Sequence, residues 1–204
     1  MESIFKATAA AGKANRNIYD SQHTWETQVK LVRSEGETPV FDEDMNNAYD
    51  LMGDFRDYVK NKFNRNSLDN NGMDLIGNVH YGEKYNNAFW DGKQMVFGDG
   101  DGAMFTSFTK SLDVVAYEMG HGVVHFYADF NYQDQLGALY EHFADMFGSV
   151  VTQYIEKETA ATADWLIGDE IMGPELYGES FVPWLLLELH MITLLWAKTH
   201  SLII

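Results

Sequence analysis

Glu118 and His121 stand three residues apart in the segment "YEMGH", and Tyr117 and His121 stand four apart. On a helix both spacings put the side chains on one face. The pattern is one residue removed from H-E-x-x-H. There, imidazoles at i and i+4 hold Zn2+, and the glutamate beside the first activates metal-bound water. Here the first ligand position is Tyr117. A phenol has a pKa of about 10 and must lose a proton to bind zinc well, whereas a neutral imidazole carries no such cost near pH 7. A site with three protein ligands needs a further donor. "GALYEHFAD" supplies Glu141, twenty residues after His121, with Asp145 one helical turn later. A carboxylate on a second helix packed against the first gives a donor set of this kind. Asp145 is then a candidate to orient His121 through its other ring nitrogen. Taken alone, an E-x-x-H pair is more often a partly exposed polar face, and a lone tyrosine more often packs than ligates.

These residues need elements to hold them. Ser111 reads as the cap of a helix over about 112–128, and 135–156 reads as a second, with Leu139, Phe143, Met146, Phe147 and Val150 on one side. Upstream, Met45, Ala48, Tyr49, Met52, Phe55, Tyr58, Val59 and Phe63 recur at three- and four-residue steps. That predicts a helix over about 43–63 with one apolar face, capped by Asp42 or Asp44. Segments 1–40 and 64–110 read as short strands punctuated by Asn-Gly, Asp-Gly and Gly-Asp turns. The expected fold class is α+β, with a β-rich part over 1–110, a helical site-bearing part over 111–180 and an apolar tail over 181–204.

Composition excludes several functions. The 204 residues suffice to bury roughly 70% of the unfolded surface in a real core. Net charge is −17, which argues against nucleic acid and anionic lipid as partners. No cysteine is present, so disulfides, thiolate nucleophiles and cysteine zinc sites are absent. The start, with Lys6 and Lys13 interrupting it, has no signal-peptide pattern. The tail "FVPWLLLELHMITLLWAKTHSLII" contains Glu188 and His190 near its centre. Each would cost about 2 kcal/mol or more inside a bilayer. A buried or partner-seeking helix, or sequence foreign to the parent fold, suits it better than a span. Nothing in the sequence sets an oligomeric state or a compartment.

Several blocks in order then resemble the thermolysin-like neutral metalloproteases. "LVRSEGETPV" and "NNAYDLMGDFRDYVKNKFNRNSLDNNGMDLIGNVHYG" look like the family's N-terminal sheet and long helix. "NNAFWDGKQMVFGDGDG" is similar to its strand pair above the cleft. "LDVVAYEMGHGVV" and "YQDQLGALYEHFADMFG" resemble its two metal-carrying helices, and "DWLIGDEI" its calcium-loop region. The resemblance covers about 18–180 and implies a zinc-dependent endopeptidase acting on peptide or protein substrates, in a family that is mostly secreted. It places Glu118 as general base, His121 and Glu141 as zinc ligands, and Asp145 as the aspartate behind a ligand histidine. It gives Tyr132 as an oxyanion-holding tyrosine, and Asn87 and Ala88 as the edge that pairs with substrate backbone. Asp113, Asp164 and Asp169 match calcium positions, although Thr152 stands where a further calcium carboxylate is expected.

The departures carry equal weight. Tyr117 replaces the first zinc histidine, so zinc binding and hydrolysis are expected to be impaired. Leu136 and Tyr140 stand where polar residues are usual. After "YGES" the family's arginine and its aspartate–histidine pair cannot be placed. The substitute ligands weighed are His125, at i+4 from His121, and Tyr117 as phenolate; His142 projects roughly 100° away from Glu141 around its helix, and the favoured reading of Tyr117 is a bulky residue filling a metal-poor cleft. The alternatives to an impaired enzyme are a peptide-binding pseudo-protease and a nonfunctional truncated product.

Overall fold

The computed structural model describes residues 14–127 and 134–179. Tyr132 and the 181–204 tail lie outside the described residues, as does the chain start.

The predicted long helix is α1, Glu43–Phe63. The Asp42 side chain caps it by accepting the Met45 N–H at 3.1 Å. Glu43 and Asp44 sit in its first turn and Lys60 and Lys62 in its last, as the helix dipole favours. Asn64, in the left-handed region at φ 51°, ends it by returning its N–H to the Val59 carbonyl. The apolar face is buried from Met45 to Val59. Phe63 departs from the expectation: it is 58% exposed, because the chain turns away at the next residue.

Among the described residues five strands form one mixed sheet: β1 (Arg16–Asp20), β2 (Lys30–Ser34), β3 (Leu75–Val79), β4 (Ala88–Trp90) and β5 (Met95–Phe97). Their order is β2-β1-β3-β5-β4. The central β1, β3 and β5 run parallel, while β2 and β4 pair antiparallel at the two edges. α1 lies close against this sheet. A Cβ on Gly77 of β3 would stand 2.9 Å from Met52 Sδ and 3.0 Å from Ile18 Cδ1, so only glycine admits the helix at this separation.

A charged clamp joins β1, the β2 turn and α1. Arg16 donates to both Glu35 oxygens at 2.6 and 2.8 Å, and buried Arg56 donates to the same carboxylate at 3.0 Å. Tyr49 lies between two guanidiniums, those of Arg16 and Arg33, 3.7 and 3.6 Å from its ring centre. This hydrogen bonding, first from Arg16, holds the Glu35 carboxyl down at about 2.

α2 (Leu112–Tyr127), which packs on β4, and α3 (Asp134–Glu156) come next, followed among the described residues by one 3-10 turn at Asp169–Ile171. Ser111 precedes α2 as expected, its carbonyl accepting the Val115 N–H at 3.2 Å. α2 is buried along most of its length because α1, β4 and α3 all pack on it. A Cβ on Gly120 would meet Phe147 Cβ at 2.9 Å and Ala144 Cα at 3.2 Å, so this glycine sets how closely α3 approaches. Among the described residues no helix is long and apolar enough to cross a membrane.

Candidate active site

The close approach of α2 and α3 turns two helix faces toward each other. Tyr117, Glu118 and His121 come from α2, and Glu141 and Asp145 from α3. Nε2 of His121 lies 3.5 Å from Glu141 Oε2, so the structure brings together the two expected ligands from separate helices. Between them stands the phenol of Tyr117. Its hydroxyl donates to the same Glu141 oxygen, and its ring packs edge-on to the His121 imidazole at 4.6 Å. On its other side His121 stacks on Tyr140, at 4.9 Å and 15°. The Tyr140 hydroxyl donates to the His121 carbonyl at 3.0 Å, which fixes the stack.

Burial dominates the electrostatics. It pushes the Tyr117 phenol well above its usual range, and the bond to Glu141 acts in the same direction. Tyr117 is therefore a neutral donor and not a phenolate. Burial lowers the His121 pKa against the pull of Glu141, leaving a neutral ring. Glu118 is only 8% exposed, and burial raises its carboxyl to about 8. The Trp90 backbone N–H donates to that carboxyl and opposes the rise, while nearby Glu141 adds to it. This contact seats the Glu118 carboxyl against β4, the edge strand. Nothing in the local pattern around Glu118 announces it, because its partner is a main-chain group from another element.

Asp145 is buried, and burial, with Glu141 one turn away, lifts it to about 6. It does not take the expected place behind His121. Nδ1 of that ring is buried with no hydrogen-bond partner among the described residues, while Asp145 contributes instead to raising Tyr117. Asn87 is exposed and Ala88 opens β4, opposite Phe97 of β5, so both lie on the expected edge. Tyr132 falls outside the described residues.

The three proposed calcium carboxylates gather near the start of α2 without closing on one point. Asp113 is buried, accepts the Ser111 hydroxyl and the Gly168 N–H, the latter at 2.9 Å, and is raised by burial to about 6. Asp169 is raised by burial and then by Asp164. Asp164 is exposed and accepts the Leu166 N–H at 3.0 Å. Glu170, not anticipated from the sequence, is also raised by burial and then by Asp113. Thr152, where the resemblance expects a further calcium carboxylate, has a buried hydroxyl with no hydrogen-bond partner among the described residues.

Do these residues fit a resident zinc ion? His121 and Glu141 supply two donors. Among the described residues no third histidine or carboxylate joins them within the 4.8 Å mutual reach of a metal's ligand atoms. His125 is exposed and packs edge-on to Phe126, and His142 completes no such set either. The remaining expected ligand position belongs to the Tyr117 phenol, which donates a hydrogen bond to Glu141, one of the two expected ligands. The donor set is one short of the three protein ligands a catalytic zinc uses.

Comparison with known proteins gives the family. A family model described as "Thermolysin metallopeptidase, catalytic domain" matches residues 5–125, and one described as "Thermolysin metallopeptidase, alpha-helical domain" matches residues 128–181. An "Extracellular metalloprotease" of Pectobacterium carotovorum is 48% identical over 82% of this chain and 48% of its own length. A "Bacillolysin" of Bacillus amyloliquefaciens is 48% identical over 61% of this chain and 22% of its own. Among solved structures, the precursor of protealysin, a metalloproteinase from Serratia proteamaculans, superposes with a TM-score of 0.81 at 44% identity, over 87% of this chain and 55% of that one. The chain thus spans about half the length, or less, of the curated relatives it matches. With an α+β fold and a family model spanning more than half its residues, the chain belongs to the thermolysin metallopeptidase family.

Proposed function

We propose that this chain is a thermolysin-type zinc endopeptidase scaffold whose hydrolytic power is impaired at Tyr117. The observation that carries this reading is the hydrogen bond from the Tyr117 hydroxyl to Glu141. It ties up one of two remaining ligands at the position where the family places an imidazole. The substrate class is an extended peptide or protein segment. Its backbone would add to the free edge of β4 at Asn87 and Ala88, bringing its carbonyl toward Glu118, the family's general base. Tyr132 is read as the oxyanion-holding tyrosine. Asp113, Asp164 and Asp169 are read as a calcium-type anchor for the start of α2. In a family named for extracellular enzymes, secretion is the location that suits this chain.

The test pairs two readouts on the purified chain with added Zn2+. Turnover of a fluorogenic peptide with an apolar residue after the scissile bond should match that of Glu118→Gln, both at background. Anisotropy with the same labelled peptide should report binding that a chelator does not remove. Turnover in the native chain that disappears in Glu118→Gln would refute the impairment.

A further inference from the structure

Outside α2 and α3, a second group of metal-type donors is built at the carboxyl ends of three neighbouring parallel strands. In open sheets this is where ligand-binding loops converge. His23 follows β1, His80 follows β3 and Asp99 follows β5. The loops after β1 and β3 continue the pairing of their strands. Ser21 N–H reaches the Val79 carbonyl at 2.9 Å, His23 N–H that of His80 at 2.8 Å, and Gly82 N–H that of Thr24 at 2.8 Å. Tyr81 N–H bonds the Phe97 carbonyl at 3.1 Å and ties in β5. Both histidines sit in the left-handed region, at φ 57° and 54°, so their side chains are presented by a braced turn.

The two imidazoles converge on one carboxylate. His80 Nδ1 lies 2.9 Å from Asp99 Oδ1, and His23 Nδ1 lies 3.2 Å from Asp99 Oδ2. One ligand atom from each of the three residues lies within 4.8 Å of the others. Adjacent ligands on a tetrahedral ion with bonds near 2.0–2.1 Å stand about 3.3 Å apart, close to these separations. Behind His80, its other nitrogen, Nε2, lies 3.2 Å from Asp42 Oδ2. Asp42 is itself held, because its second oxygen caps α1 through the Met45 N–H. This is the carboxylate–histidine arrangement that orients a ligand ring toward a metal. The His23 side chain is 59% exposed, which leaves an approach and a position for water.

The geometry points to a divalent transition-metal site at His23, His80 and Asp99, oriented by Asp42. Two imidazoles and one carboxylate suit Zn2+ or Co2+. The ion would pin the loops after β1, β3 and β5 to the start of α1, independently of Tyr117. A simple ion-pair clamp between the same residues is the competing outcome.

The test uses the full chain stripped with chelator, then melted with and without about 100 µM Zn2+. Binding at micromolar Kd gives a rise in Tm of about 5 °C or more by mass action. The rise should persist in His121→Ala and vanish in His23→Ala. A cooperative metal-free melt of His23→Ala shows that this variant folds, and Asp99→Asn serves as the second disabling variant. Titration with Co2+ should reach one equivalent in the native chain and in His121→Ala. The inference is overturned if zinc leaves Tm unchanged, or if the rise is the same in His23→Ala.

Discussion

Replacing Tyr117 separates two effects that the family histidine would combine. Tyr117→Phe keeps the ring against His121 but removes the hydroxyl that donates to Glu141. A hydrogen bond to a charged group is worth about 1.5–3 kcal/mol. Zinc must displace that bond to use Glu141, so its removal should tighten zinc binding by about 10- to 100-fold. Tyr117→His frees Glu141 and also supplies an imidazole at i−4 from His121. Losing a residue that only hydrogen-bonds a metal ligand costs about 10–100-fold, so a restored imidazole on the metal itself should add more than about 100-fold beyond Tyr117→Phe. The assay is competition for Zn2+ against a chromophoric chelator. It is run in a His23→Ala background, so that the cluster beyond the strand ends does not contribute. Glu141→Gln should cancel the gain in both variants. If Tyr117→Phe binds zinc more weakly than the native chain, the phenol is itself a ligand and the reasoning fails.

Two further outcomes follow from the packing. Glu35→Gln removes the charge shared by Arg16 and buried Arg56 and should cost about 2–3 kcal/mol in urea unfolding near pH 6. Because the folded Glu35 carboxyl is held down at about 2 from 4.5, its contribution is full above 4.5 and fades as pH falls toward 2. The gap between native and variant should therefore narrow at pH 3, and an unchanged gap would contradict the assignment. Gly120→Ala places a Cβ 2.9 Å from Phe147 Cβ. Overpacking of about 1–3 kcal/mol is offset by about 1 kcal/mol of helix propensity. The net of about 0–2 kcal/mol lowers Tm by up to about 8 °C in calorimetry, and a higher Tm would mean that α3 yields to the added methyl group.

The sequence alone determined whatever repeats over one or two helical turns. The three- and four-residue spacing from Met45 to Val59 specified α1, and Asp42 marked its start. Glycine-bearing pairs marked the turns between strands, and Tyr117, Glu118 and His121 were placed on one α2 face by their spacing. The periodicity includes Phe63 in the buried face because it does not reveal that Asn64 turns the chain away, which leaves Phe63 exposed. Other features depend on contacts between elements. That the Tyr117 hydroxyl meets Glu141 follows from the distance at which Gly120 lets α3 approach. Trp90 reaches Glu118 only because β4 lies at the sheet edge beside α2. His23, His80 and Asp99 are separated by 57 and 19 positions and meet only because β1, β3 and β5 end side by side. Local spacing fixes which way a side chain faces on its own element. Which group it meets is decided by how separately formed elements pack, and that depends on the whole core at once.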